Sequence, residues 1–275
     1  MNQPATAVDD GQIAAKHRVM WASGNYPKLV AEIVSPLGPI LVEAAGIGSG
    51  DRVLDIAAGT GNAAIPAALT GASVVASDLC PELLERGSQL AAERGVTLDW
   101  READAHQLPF GDAEFDVVMS CIGVMFAPFH QRAADELVRV CKPGGRVALL
   151  SWTPEGQIGQ LFATMKPYVA APPPGAQPPP LWGREDHVRA LFGEAVTDVV
   201  TERRTLTVGH FGDGAAFRDY FRSMYGPTIA AYRNIEADPD RVAELDAALA
   251  RLGDAFLAGG SEMKWEYLLL TARRA

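Results

Sequence analysis

At 275 residues and 48% hydrophobic content, the chain is long and apolar enough for one large domain, or one domain carrying a substantial insertion. Its 24 basic residues against 34 acidic ones leave a net charge of −10, which argues against a general affinity for nucleic acid or anionic membranes, because both need a basic footprint. The three cysteines, Cys80, Cys121 and Cys141, form no CxxC pair, which argues against disulfides and structural zinc, and no run of about 18 apolar residues exists to span a membrane.

Residues 1–11 are polar and read as a tail rather than a signal peptide, so a cytoplasmic location is expected. Residues 12–45 read as helical in pieces, 13–22, 28–34 and 40–45, with a break over Trp21-Ala22-Ser23-Gly24-Asn25-Tyr26 and punctuation at Pro36, Pro39 and Gly46. Trp21 and Tyr26 flank that break, where a lid would hinge or where both rings would pack on the sheet edge. From residue 51 strands and helices alternate: strand 52–56, helix 62–69, strand 73–77 closed by Asp78, then helix 81–93 opened by Pro81. A short strand 98–101 leads into Glu102-Ala103-Asp104-Ala105. Strand 115–120 is the near-continuous apolar run of a buried parallel strand. Helix 133–140, a tight turn at Lys142-Pro143-Gly144-Gly145 and strand 146–152 follow. After Trp152 the pattern loosens. Residues 171–180 hold six prolines in ten and predict an extended connector. Helix 184–192, strand 196–208, helix 215–233 broken at Gly226-Pro227, amphipathic helix 240–257 and strand 264–272 complete the chain.

This alternation predicts an α/β fold: a Rossmann-like, doubly wound, mostly parallel seven-stranded sheet with a helical cap. The expected organisation is an N-terminal helical lid over 1–45, a core over 46–210 and 261–275, and a cap over 211–260 inserted before the last strand. Ligands in such sheets lie at the carboxyl ends of the strands, and Asp55, Asp78, Asp104 and Cys121 all fall at or just past such ends. The first strand runs into Ala57-Ala58-Gly59-Thr60-Gly61-Asn62, a glycine turn that exposes main-chain N–H groups at a helix start. A nicotinamide dehydrogenase would carry GxGxxG around a pyrophosphate here. Asp55, two residues before the turn, would repel a pyrophosphate but suits an ammonium group. Asp78, 19 residues past Gly59, is spaced to accept both hydroxyls of a ribose. Asp104 can accept from an adenine amine while the Ala105 N–H donates to a ring nitrogen. An acid for an ammonium, an acid for a ribose and an acid for adenine describe S-adenosylmethionine.

Residues 52–152 resemble the class I S-adenosylmethionine-dependent methyltransferases, in the ubiquinone/menaquinone-biosynthesis-like branch (methyltransferase type 11). Five motifs in order carry the resemblance: Val53 to Gly61, Ala76-Ser77-Asp78-Leu79, Ala103-Asp104-Ala105 with Leu108-Pro109-Phe110, Phe115-Asp116-Val117-Val118, and Arg139 to Gly145. Ala57 departs from the glycine that many members carry. The resemblance implies that Asp55, Ala57 and Gly59 hold the methionine end of the cofactor, Asp78 and Leu79 the ribose and one adenine face, and Asp104 and Ala105 the adenine edge, with Thr60 also in the cofactor site. It places Cys121 beside the sulfonium and adds Trp21 and Tyr26 to the cofactor site. The implied acceptor is a small molecule and the implied assembly a monomer or homodimer.

Methyl transfer is an in-line displacement, so alignment carries most of the catalysis, and positioning can supply about 7–11 kcal/mol. A general base is needed only for a weakly acidic hydroxyl or a protonated amine. His130, just past strand 115–120, is the candidate base. Tyr225, with Arg222 and Met224 beside it, is the candidate aromatic facing the pocket, where it could steady a sulfonium by cation–π contact. His106 reads as a solvent-facing loop residue, and His17, His187 and His210 as surface or helix residues. No metal-binding pattern appears, so no metal is expected. The alternatives are an RNA or protein methyltransferase, a non-catalytic S-adenosylmethionine-binding protein and, last, a nicotinamide-dependent dehydrogenase.

Overall fold

The computed structural model describes residues 10–258 and 260–275. The expected polar tail lies outside the described residues up to residue 9; its last two residues instead open the first helix. Helix α1 (Asp10–Ala22) is followed by α2 (Tyr26–Leu29), a π-helical turn over Val30–Val34, and α3 (Leu37–Ala44). Asn25 caps α2, its side chain accepting from the Lys28 N–H, which is why the chain turns there. No residue of α1 is buried. Its far end seats against the junction of two later helices, where a Cβ on Gly226 would stand 2.3 Å from the Met20 carbonyl oxygen.

Strands β1 (Arg52–Ile56), β2 (Ser73–Asp78), β3 (Asp99–Glu102), β4 (Phe115–Cys121), β5 (Cys141–Trp152), β6 (Val196–Val208) and β7 (Met263–Arg274) form one sheet in the order β3-β2-β1-β4-β5-β7-β6. The first five strands pair in parallel; β7 enters antiparallel between β5 and β6. Strand order reverses between β1 and β4, so the ends of those two strands open the crevice in which such sheets bind ligands. The Val117, Val118 and Met119 side chains of β4 are wholly buried, as the apolar run predicts for a strand covered on both faces.

Helices α4 (Ala64–Leu69), α5 (Pro81–Glu93) and α6 (His130–Val140) cross between the parallel strands. Next come α7 (Gln157–Met165), α8 (Glu185–Phe192), α9 (Gly214–Met224), α10 (Gly226–Ile235) and α11 (Pro239–Leu257), the last three lying between β6 and β7. Four expectations shift. The α4 helix starts at Ala64 rather than 62, because the Asn62 amide is turned back onto the Val34 carbonyl at 3.1 Å. The α6 helix begins three residues early, at His130. The turn at Lys142–Gly145 is not a break before a strand: β5 already pairs at Cys141 with Phe115 and resumes at Arg146 with Val117, so the turn is a bulge within it. Helix α7 was not foreseen, because Gln157, Ile158, Gly159, Leu161 and Met165 are all buried and leave no polar stripe to mark its period.

Candidate active site

The glycine turn after β1 is stitched to the end of β2. The Ala58 N–H donates to the Ser77 carbonyl at 2.9 Å, and the Gly59 N–H donates to Asp78 Oδ2 at 2.8 Å. Gly59 takes φ +56° with the Tyr26 ring only 3.6 Å from where a Cβ would sit, so a side chain there would be strained and would fill the space beside the ring. Ala57 bears its own Cβ at φ +54°, the conformation for which glycine is the easier residue.

Three adjoining cavities meet at Tyr26. The largest, about 840 Å³ of empty space open to solvent, runs beneath α1 and is lined among others by Trp21, Ala57, Gly59, Asp78, Leu79, Asp104 and Ala105. The second, about 330 Å³, lies over the turn and is lined by Asp55, Ala57, Gly59, Thr60, Asn62 and Cys121 with their neighbours. The third, about 310 Å³, is walled mainly by aromatic rings, including Phe126, Trp152, Phe221, Tyr225 and Trp265. Tyr26 lines all three, and Ile122 is shared by the second and third.

Asp55 is 1% exposed, and neither carboxylate oxygen has a hydrogen-bond partner. Burial drives its carboxyl well above the usual carboxylate range; the approaching Ala64 N–H offsets this only in part. An unpaired buried carboxylate facing a cavity lacks a cation, and the ammonium group of S-adenosylmethionine is one that fits. Asp78 is 9% exposed and accepts the Gly59 and Cys80 N–H groups at 2.8 Å each. Burial lifts its carboxyl to about 6 against those backbone donors. The Leu79 N–H also approaches this carboxyl, and its remaining acceptor capacity fits the hydroxyls of a ribose.

Asp104 accepts from the His106 ring, Nδ1 to Oδ1 at 2.7 Å, and from the His106 N–H at 2.9 Å. Burial raises this carboxyl, but the His106 bonds outweigh burial and the net shift is downward. The Phe129 N–H donates to His106 Nε2 at 3.2 Å, which leaves the ring proton on Nδ1, facing Asp104. His106 is therefore not the solvent-facing residue expected; it lines the largest cavity and fixes the Asp104 carboxylate. His17, one of the expected surface or helix residues, lies on α1 and faces the same cavity.

All eleven sequence candidates for cofactor contact, from Trp21 to Cys121, line one of the first two cavities, and Tyr225 lines the aromatic one. His130 lines none of the three. It is 0% exposed, its Nδ1 is 2.9 Å from His187 Nε2, and its ring packs on Trp182. Burial, reinforced by His187, depresses it to about 3, so it is a weak base facing away from the pocket. Arg222 also turns away, to Asp246 at 2.9 Å. What the sequence reading missed falls into two groups. Asp10, Ile13, Ala14 and His17 share one face of α1 with Trp21, a stripe visible from its helical spacing once the helix starts at Asp10. The aromatic wall draws on segments far apart in the chain and leaves no local signal.

Among the described residues, no helix is long and apolar enough to cross a membrane, and no group of three or more His, Cys, Asp or Glu could hold a metal ion.

Comparison with known proteins agrees with this geometry. A methyltransferase-domain family model matches residues 54–149. An uncharacterised protein of Mycobacterium tuberculosis is 53% identical over 268 residues, covering 98% of this chain and 97% of that one. A demethylmenaquinone methyltransferase of Clavibacter sepedonicus is 41% identical over 106 residues, 38% of this chain and 42% of its own. The solved structure of geranyl diphosphate methyltransferase in complex with S-adenosylmethionine superposes with a TM-score of 0.53 at 18% identity, covering 98% of this chain and 93% of that one. By the methyltransferase-domain match and the shared fold, the chain belongs to the class I S-adenosylmethionine-dependent methyltransferases.

Proposed function

We propose that the enzyme methylates a small molecule held in the aromatic cavity, with the cofactor lying across the other two. One observation carries this reading: Tyr26 and Ile122 line both the aromatic cavity and the cavity holding Asp55, so an acceptor and the methionine end of the cofactor would meet between them. When bound, S-adenosylmethionine supplies an activated methyl carbon. The chain's own residues bind and orient. Asp55 takes the ammonium, Asp78 the ribose, and Asp104, held by His106, the adenine amine, while Trp21 and the inner face of α1 close the cleft as a lid.

Ile122 supports a junction at this point. It is β-branched, yet it takes φ +69°, a conformation that costs of order 1–3 kcal/mol and concentrates at functional sites. No residue lining the aromatic cavity ionises near neutrality, because burial raises both the Tyr26 and Tyr225 phenols above their ordinary value. The acceptor therefore brings its own nucleophile, and water exclusion and alignment are the protein's share.

The test is release of S-adenosylhomocysteine on incubation with S-adenosylmethionine and a panel of phenols, thiols and amines, beside tRNA and histone. Turnover on a member of the small-molecule panel supports the reading. Turnover confined to tRNA or protein overturns it.

A further inference from the structure

The adenine end of the cleft holds a histidine that the cofactor assignments leave unused. Helix α1 straddles this end, tied by Asp10 to Arg132 on α6 and by Arg18 to Glu102, the last residue of β3. Asp10, Ile13, Ala14, His17 and Trp21 recur at spacings of three and four and share the face that looks into the largest cavity. His17 lies one turn before Trp21, whose ring packs edge to face on Tyr26 and Phe126 and so holds that face inward.

The same cavity is lined by Asp104, Ala105 and His106. Both ring nitrogens of His106 are engaged, one with Asp104 and the other with the Phe129 N–H. The His17 ring has no hydrogen-bond partner among the described residues. Burial, reinforced by His106, holds it below the usual histidine range, so near neutral pH it is an uncharged imidazole with one donor and one acceptor nitrogen. Asp104 pulls it the other way, which places the His17 ring within the field of that carboxylate.

Adenine offers more acceptors than the strand ends meet. With its amine on Asp104 and N1 on the Ala105 N–H, two ring nitrogens stay open: N3, beside the ribose, and N7, beside the amine. Of these, N7 is the one on the Asp104 side. Resting on this placement of the adenine, we infer that His17 donates an imidazole N–H to N7 of the bound cofactor. Helix α1 thereby reads the purine as well as covering it, and His17 is a specificity-determining residue of the cofactor site.

The test is calorimetric titration of the full chain with S-adenosylhomocysteine and its 1-, 3- and 7-deaza analogues, each of which replaces one ring nitrogen by C–H. The same series is run on His17→Phe, which keeps a flat ring and removes both nitrogens. We expect the unaltered protein to bind the 7-deaza analogue about fivefold less tightly than the parent, the effect of one lost hydrogen bond, and the variant to bind the two alike. The 3-deaza analogue should match the parent in both proteins. The 1-deaza analogue should bind less tightly to both, because Ala105 and not His17 meets N1. Equal affinity of parent and 7-deaza analogue for the unaltered protein, a penalty at N3 in its place, or a 7-deaza penalty that persists in the variant overturns the inference. If the 1-deaza penalty is present in those cases, the placement of the adenine still stands; its absence overturns both. His17 lies outside the hydrophobic core, and His17→Ala is a second variant with the same expected outcome.

Discussion

The two halves of the pocket are built by opposite means. On the β1–β2–β3 side, acids at strand ends contribute to it: Asp55 is the penultimate residue of β1, Asp78 closes β2 and Asp104 follows β3, and the backbone presents donors to Asp78 and Asp104. On the other side, rings from the α2 region, β5, α9 and β7 converge without a charged group among them. The half at the strand ends is local in sequence. The aromatic half is assembled from distant segments, so it can change without disturbing the cofactor. The comparison says that variants of the two halves should separate cleanly in what they damage.

The sharpest separation is at Asp55. Asp55→Asn should weaken S-adenosylhomocysteine binding by about 100-fold or more, on the scale of truncating one partner of a buried ion pair, while raising the melting temperature of the ligand-free protein. The two opposite signs come from one cause: burial penalises the charged form of Asp55 until an ammonium arrives. Calorimetry and thermal melts read them, and an unchanged affinity would remove Asp55 from the site.

Asp78→Ala should cost more than tenfold in the same affinity, since it strands two ribose hydroxyls and frees the Gly59 N–H. A pH series sharpens this. With its carboxyl lifted to about 6, Asp78 takes up a proton as pH falls through that value and loses acceptor capacity. Binding should therefore weaken on acidification from 7.5 to 5, and Asp78→Asn should lack that component of the slope.

The reciprocal test is milder. Tyr225→Phe should raise the acceptor KM a few-fold and leave S-adenosylhomocysteine affinity alone; damage to both would collapse the division between the halves. His130→Gln should have the smallest effect on chemistry, with turnover per folded molecule unchanged. It should alter stability instead. His130 is held near 3 when folded and titrates at about 6.5 when unfolded, so its contribution is present above 6.5 and is lost as pH falls from there toward 3. Melting curves of the variant should show a shallower decline over that window.

The strand-end half was legible in the sequence because strand ends are readable from periodicity. The limits of β1, β2, β4 and β6 fall within one residue of those expected. Where the reading went wrong, tertiary partners decided. His106 reads as a loop side chain, but the Phe129 N–H, 23 residues on, donates to one ring nitrogen and Asp104 accepts from the other. His130 follows the correct strand, yet as the first residue of α6 its ring is carried to Trp182 and His187. The aromatic half could not be read because no segment contributes more than a few of its residues. Tyr225 was found only because it abuts the Gly226-Pro227 break.

The manner in which α1 is attached has a kinetic consequence. Besides its seat at Gly226, Trp21 at its end packs edge to face on Tyr26, Phe126 and Tyr225, and two exposed ion pairs add to this: Arg132 with Asp10, at 2.9 Å, and Arg18 with Glu102. Pairs of this kind contribute about 1 kcal/mol or less and are screened within about 8 Å at physiological ionic strength. Salt therefore weakens the ion pairs and leaves the Trp21 packing in place, so the rate at which α1 opens should depend only weakly on ionic strength.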